Sequence, residues 1–205
     1  MQSKISSTLS IIILGVVGMI FFSIIIVLLT FGRSSQGSYA KQVSPIQDGV
    51  SLSQASSGLP MHLRIPKINV DAAIQYVGLT PQGAMDVPKG PADVAWFDLG
   101  PRPGENGSAV IAGHEGWKDG IHAVFDNLHT LQKGDKLYVE DENGTTITFV
   151  VREVKLYDQN QDASDVFGSS DGAAHLNLIT CAGTWHAAEK SYSNRLVVFT
   201  DKAAE

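Results

Sequence analysis

The stretch HLNLITCAGTW, residues 175–185, followed by RLVVFT at residues 195–200, decides how this chain is to be read. Residues 175–181 and 195–200 are two apolar runs rich in branched side chains, which marks them as strands. Strand alternation places His175, Asn177, Ile179 and Cys181 on one face of the first run. If the two runs pair as an antiparallel hairpin across residues 182–194, the end of one and the start of the other share an edge. Cys181 and Arg195 then sit side by side. Cys181 is the chain's single cysteine, so it has no internal disulfide partner. That leaves a small buried residue, an intermolecular link or a nucleophile.

Working outward, the pattern from Pro60 onward is one of short apolar runs broken by Gly, Pro, Asn and Asp. It predicts further strands at 61–65, 72–78, 84–87, 108–113, 136–140 and 145–157. Asp141-Glu142-Asn143-Gly144 lies between two alternating strands and predicts a hairpin with a type I′ turn. The same Asn143-Gly144-Thr145 matches a glycosylation acceptor, but the turn explains it without a sugar. HAVFDNLHTL, residues 122–131, has the spacing of a short helix. Many short strands at this spacing predict a mainly β chain and a closed or nearly closed barrel.

The chain before Pro60 is different in kind. From Leu9 to Phe31 it reads LSIIILGVVGMIFFSIIIVLLTF, with no charge between Lys4 and Arg33. About 20 apolar residues in helix cover a bilayer core of roughly 30 Å, which predicts a transmembrane anchor at 9–31 behind a short head at 1–8. Ser38-Tyr39-Ala40 resembles a leader cleavage site, but the run exceeds the roughly 7–15 apolar residues of a signal peptide. Residues 32–59 hold eight Ser, four Gly and four Gln. Such a segment buries too little apolar surface to offset its ordering entropy, so it reads as a flexible tether. Lys4 faces Arg33 and Lys41 across the span, so charge alone leaves orientation balanced. A lone, unpaired cysteine is unusual for an exported domain. Residues 60–205 carry 12 Lys and Arg against 20 Asp and Glu, a net charge near −8. Nothing there offers phosphates a basic surface, which argues against nucleic acid as partner.

A nucleophilic thiol needs a proton acceptor, because at a reference pKa of about 8.5 little of it is thiolate at neutral pH. Six histidines compete. His175 is six residues before Cys181 on the same strand, roughly 20 Å away. His122 and His129 fall on the predicted helix, and His62 opens the domain. His186 lies five residues past the cysteine, close enough to be a rival. His114 ends the apolar run 108–113 between Gly113 and Gly116, where glycines point to a sharp turn and close approach of other groups. Local reasoning leaves His114 and His186 both open. His114-Glu115 begins like HExxH, but the second histidine is not at i+4, so the two-imidazole face of a zinc site is missing. One cysteine also rules out thiolate-rich zinc patterns.

Leu176-Asn177-Leu178-Ile179-Thr180-Cys181 followed by Arg195-Leu196-Val197-Val198 resembles the cysteine and arginine motifs of the sortases, with Asn177 in place of their usual Thr. Residues 103–114, PGENGSAVIAGH, resemble the segment that carries the family's histidine. Arg64-Ile65-Pro66-Lys67-Ile68, with Val70-Asp71-Ala72 after it, is similar to the family's first strand. The likeness spans about residues 60–201, with anchor and tether in the expected order.

What the resemblance implies is a closed eight-stranded barrel with one or two short helices behind an N-terminal transmembrane helix, and a catalytic domain over 60–205. It assigns the nucleophile to Cys181, the histidine to His114 and the arginine to Arg195, with Thr180 against the substrate. The implied reaction is cleavage of a sorting signal related to Leu-Pro-x-Thr-Gly through a thioester, then transfer to an amine such as a peptidoglycan precursor or a pilin lysine. No cofactor is implied. The implied setting is a single-pass membrane protein with its N-terminus inside and its catalytic domain outside. Its CAGTW sequence and medium loop look closer to the class D, E or F enzymes than to pilin polymerases. A hydrolytic cysteine peptidase using the same three residues, or a surface barrel without activity, are the competing readings. The His-Gly-Cys cluster of L,D-transpeptidases is absent.

Overall fold

The computed structural model describes residues 57–188 and 191–204. The head 1–8, the anchor 9–31 and the tether up to residue 56 lie outside the described residues. Among the described residues no helix is long and apolar enough to cross a membrane.

Eight strands form one closed barrel. They are β1 (Pro60–Ile65), β2 (Val70–Val77), β3 (Val94–Phe97), β4 (Gly107–Gly113), β5 (Lys136–Asp141), β6 (Thr146–Asp158), β7 (Ala174–His186) and β8 (Ser191–Lys202). Round the barrel they run β1-β2-β3-β4-β7-β8-β6-β5, and β5 closes back on β1. Closure leaves no open sheet edge among them. Two seams are parallel, β2 with β3 and β4 with β7. Alternation fills the interior with Leu63, Ile65, Ile111, Val139, Phe149, Leu176, Leu178 and Val198, all at most 1% exposed.

The barrel's outer face is covered beside β4, β7 and β8. The four-residue helix α1 (Ser164–Phe167) lays Val166 over Val110, Tyr157, Val197 and Phe199, a second apolar cluster outside the barrel. Asn177, the departure from the family motif, holds this strap: its Nδ2 donates to the Val166 carbonyl at 2.7 Å. Strands β4 and β7 are therefore buried on both faces, which suits their nearly continuous apolar runs.

Four sequence expectations are corrected. Residues 84–87 are not a strand; Met85 makes a single bridge to Leu79. Nearby N–H groups go to local side chains instead, Ala84 to Thr80 and Val87 to Asp86. Such local bonds compete with a ladder. The missing strand is Val94–Phe97, pinned parallel to β2.

Residues 122–131 are turns with one 3-10 segment, Leu128–Thr130. Val124 donates to Pro91 and Phe125 to the His114 carbonyl. The later N–H groups go three residues back and not four, Asp126 to Ala123, Leu128 to Phe125, Thr130 to Asn127 and Leu131 to Leu128, so the segment closes as successive tight turns. The only α-helix among the described residues is α1.

The 141–145 hairpin exists, but only Gly144 has positive φ, at 78°. Type I′ needs two such residues, so the three-residue loop is the kind closed by a glycine bulge. Asp141 braces it by accepting N–H bonds from Asn143 and Thr145.

Finally, 182–194 is not a long loop. Strands β7 and β8 continue as a ladder to His186↔Ser191, broken by a bulge between Ala182 and Trp185.

Candidate active site

Cys181 pairs with Arg195 across the β7/β8 ladder, as the antiparallel reading required. On its other side β7 runs parallel to β4, and their register reaches Ala112↔Ile179. Two residues further along each strand, that register sets His114 level with Cys181. Thr180 secures the seam at this point: its hydroxyl donates to the Gly113 carbonyl at 2.8 Å. The cysteine is thus flanked by histidine on one neighbouring strand and arginine on the other. His114, Cys181 and Arg195 together line one cleft of about 600 Å3.

Each side chain has a local reason for its position. Gly113 lets the Phe125 ring lie against the backbone where any Cβ would overlap it. The His114 carbonyl accepts the Phe125 N–H at 3.0 Å, which fixes the strand end. Gly116, with φ of 64°, turns the chain back toward the cleft. Asp126 holds that turn through the Gly116 N–H at 2.7 Å. Burial works to raise the Asp126 pKa, but the donors around it, Gly116, His122 and Ala123, leave it lowered. The bulge after Ala182 contains Gly183, with φ of 83°, and re-aims the hairpin so that Trp185 stacks edge-on to Tyr192 at 5.1 Å. Bulges beside active sites commonly serve this purpose.

The histidine is held on one side only. Its ring packs on Trp117 at 4.7 Å, and Nε2 lies 2.8 Å from the Pro88 carbonyl. A carbonyl oxygen only accepts, so the proton of this bond sits on Nε2 and Nδ1 is left unprotonated in the neutral ring. Arg195 is anchored in its own hairpin. Its Nη1 donates to the carbonyls of Tyr192 and Asn194 at 3.0 and 2.8 Å, and Nη2 to Ser191 Oγ at 3.3 Å. These bonds use three of the five guanidinium N–H groups and leave one on Nη2 and the one on Nε.

Burial pushes the Cys181 thiol above its ordinary pKa; Arg195 opposes that shift and Glu115 adds to it. At neutral pH the resting group is therefore the thiol. Glu115 is itself shifted upward, first by burial and then by Asp126, with His129 opposing.

The other sequence candidates fall elsewhere. His186 is exposed and is not among the residues lining the cleft. His175 sits at the far end of β7 between Asp171 and Asp201. His122 pairs with Asp126, and His129 Nδ1 bonds the Asp126 carbonyl. Thr180, expected against the substrate, is 3% exposed and commits its hydroxyl to Gly113. Sequence reasoning gave no role in the site to Glu115, Trp117, Trp185 and Tyr192, all in the cleft wall. Three of them lie within four residues of His114 or Cys181, and that adjacency was the available signal.

Residues 63–203 match the family model described as the sortase domain. No curated protein matches the chain. Among solved structures, the chain is similar to sortase C1 of Streptococcus agalactiae in complex with MTSET, at 26% identity and a TM-score of 0.55, over 71% of this chain and 67% of that one. Sortase C-1 from Actinomyces oris is 24% identical with a TM-score of 0.53, over 70% of this chain and 73% of that one. A lid mutant of sortase A from Corynebacterium diphtheriae is 20% identical with a TM-score of 0.56, over 74% of both chains. These last two likenesses concern the fold alone.

Proposed function

This chain belongs to the sortase family of cysteine transpeptidases, and on that premise we propose that it cleaves a sorting signal related to Leu-Pro-x-Thr-Gly through a thioester on Cys181. The observation that carries the reading is the meeting of His114, Cys181 and Arg195 in one cleft.

The resting thiol passes its proton to His114 Nδ1 as the sulfur attacks the Thr carbonyl carbon. The C–O π electrons move onto oxygen, and the free Nη2 and Nε hydrogens of Arg195 meet that charge. Loss of one such donor costs roughly 3–4 kcal/mol of transition-state stabilisation in oxyanion holes. Collapse of the tetrahedral species expels the glycine nitrogen, which takes the proton back from Nδ1 and leaves a thioester. An incoming amine then gives its proton to Nδ1, attacks the acyl carbon and releases the thiolate, which recovers the proton. A thioester suits the exchange because amines attack it readily. The steps balance without a cofactor.

The apolar run 9–31 and the Ser-rich segment 32–59 support a further part of the reading: a membrane anchor and tether that place the catalytic domain outside the cell. The acceptor is an amine of the cell wall or of a surface polymer. Thr180 acts through the β4/β7 seam, by its bond to the Gly113 carbonyl.

The test is product analysis with a signal peptide, with and without a glycine oligomer. The account expects ligation to the oligomer by wild type and no product from Cys181→Ala. Hydrolysis alone, unaffected by any amine, would instead identify a cysteine peptidase.

A further inference from the structure

Gln75 lies on β2, outside the cleft, and no step above uses it. Its side chain nevertheless joins a short chain of hydrogen bonds that ends on His114. Gln75 Nε2 donates to Asp93 Oδ2 at 2.8 Å. Gln75 Oε1 accepts the Lys89 N–H at 3.1 Å. The Lys89 N–H belongs to the same peptide unit as the Pro88 carbonyl, and that carbonyl accepts His114 Nε2–H at 2.8 Å. One peptide plane is thus held at both ends, by Gln75 through its N–H and by the catalytic ring through its C=O.

The anchors of this chain are rigid. Gln75 sits within β2 and Asp93 immediately precedes β3, and the two strands pair with Gln75 opposite Ala95. Pro88 is buried in a connection, residues 78–93, that has no named strand or helix, and its one bridge, Leu79 to Met85, stops short of the Pro88–Lys89 peptide. An amide whose N–H is bonded is also polarised into a better acceptor at its carbonyl.

We infer that Gln75 is a positioning residue for His114, holding the Pro88–Lys89 peptide so that the ring keeps its proton on Nε2 and presents Nδ1 to Cys181. The inference rests on His114 being the proton carrier proposed above. Gln75 touches neither substrate nor thiol, so its loss acts on turnover and not on binding. Mutating partners that orient a metal-ligating histidine commonly costs about 10–100-fold; by analogy, and because the carbonyl itself remains, about tenfold in kcat is expected.

The test compares Gln75→Met, Gln75→Glu and the double variant Gln75→Glu/Asp93→Asn. Met keeps the length and removes both bonds. Glu keeps the acceptor for Lys89 but sets two carboxylates together, and Asn at 93 restores a donor toward it. The readouts are kcat and KM on a signal peptide, and the 15N resonances of the His114 ring. The account expects Gln75→Met to lose about tenfold in kcat at unchanged KM, with the ring shifting toward a mixture of tautomers. Gln75→Glu should show the same signature, and the double variant should recover to within about threefold of wild type. Wild-type kcat in Gln75→Met, or a loss of turnover with His114 resonances unchanged, overturns the inference. Should Gln75→Met fail to fold, Gln75→Glu against its double variant decides it. His114→Ala separates the two levels: retained turnover there defeats the proton-carrier reading, while the ring-nitrogen result still reports on Gln75.

Discussion

The two ends of the β7 region each bring a histidine into play, and the two are held in opposite ways. At the start of the strand His175 is 4% exposed, with Nδ1 2.8 Å from Asp201 and Nε2 3.0 Å from Asp171. Both ring nitrogens are engaged by carboxylates, and Arg152 continues the chain to Asp201 at 2.9 Å. At the other end His114 has one nitrogen on a carbonyl, and its ring lines a cleft shared with the Cys181 thiol. An imidazole engaged at both nitrogens staples β7 to β8 and to the Asp171 loop, and turns neither nitrogen to a reacting thiol. A half-satisfied one is oriented and still able to take a proton. Chemistry needs the second arrangement.

The largest effect that sharpens this contrast is on turnover. His114→Ala should lose about 10³-fold in kcat with little change in melting temperature, the scale of a lost general acid–base. His175→Gln should keep activity per folded molecule within about twofold, yet lose about 2–3 kcal/mol of stability from its bonds to charged partners. Thermal melts and kinetics on the same samples read both quantities, and a reversed pattern would break the comparison. Next comes Arg195→Lys, expected to fall roughly 10²-fold in kcat/KM, because Lys lacks the fork that serves hairpin and oxyanion together. A Lys variant within about threefold of wild type would leave the oxyanion to backbone N–H groups.

Smaller effects probe the seam. Thr180→Val removes the bond to Gly113 and should cost about 1–2 kcal/mol and a few-fold in kcat. A rise in KM at unchanged kcat would return Thr180 to the substrate. The subtlest effect is on the thiol. Alkylation of Cys181 followed against pH should shift downward in Glu115→Gln, since removing the negative charge favours thiolate. It should shift upward when Arg195 is removed. At the saturated end, the Asp171 carboxyl is held well below the usual range by the Ala173 N–H, His175 and Ser169. A depressed carboxylate stabilises the fold above its ordinary pKa of about 4 and loses that contribution as pH falls below it. Acid melts of Asp171→Asn should show that limb flattened.

What could be read from residues alone followed the locality of the contacts. Cys181 and Arg195 were placed correctly because a hairpin joins neighbours in sequence, and alternation then fixes who faces whom. His114 could not be placed beside Cys181 by the same means. That pairing runs through a parallel seam whose strands are separated by β5, β6 and α1, and nothing local announces a parallel partner. His114 therefore led His186 only on its flanking glycines, and the choice rested on the family resemblance. The 122–131 segment is tied at its start to Pro91 and His114, distant in sequence, and its remaining N–H groups close i−3 turns, which apolar spacing alone does not separate from a helix. Val94–Phe97 was missed although VAWF is a continuous apolar run, because its partner β2 lies across a 16-residue connection.

The central claim is that Cys181 carries the acyl group while His114, and not His175, moves the proton. Intact-mass measurement after mixing signal peptide with enzyme, without an acceptor amine, tests it most directly. The account predicts an acyl adduct, mapped to the peptide containing Cys181, in wild type and in His175→Gln. It predicts no adduct in Cys181→Ala and greatly slowed formation in His114→Ala. An adduct that persists in Cys181→Ala, or that forms at the wild-type rate in His114→Ala but not in His175→Gln, would contradict it.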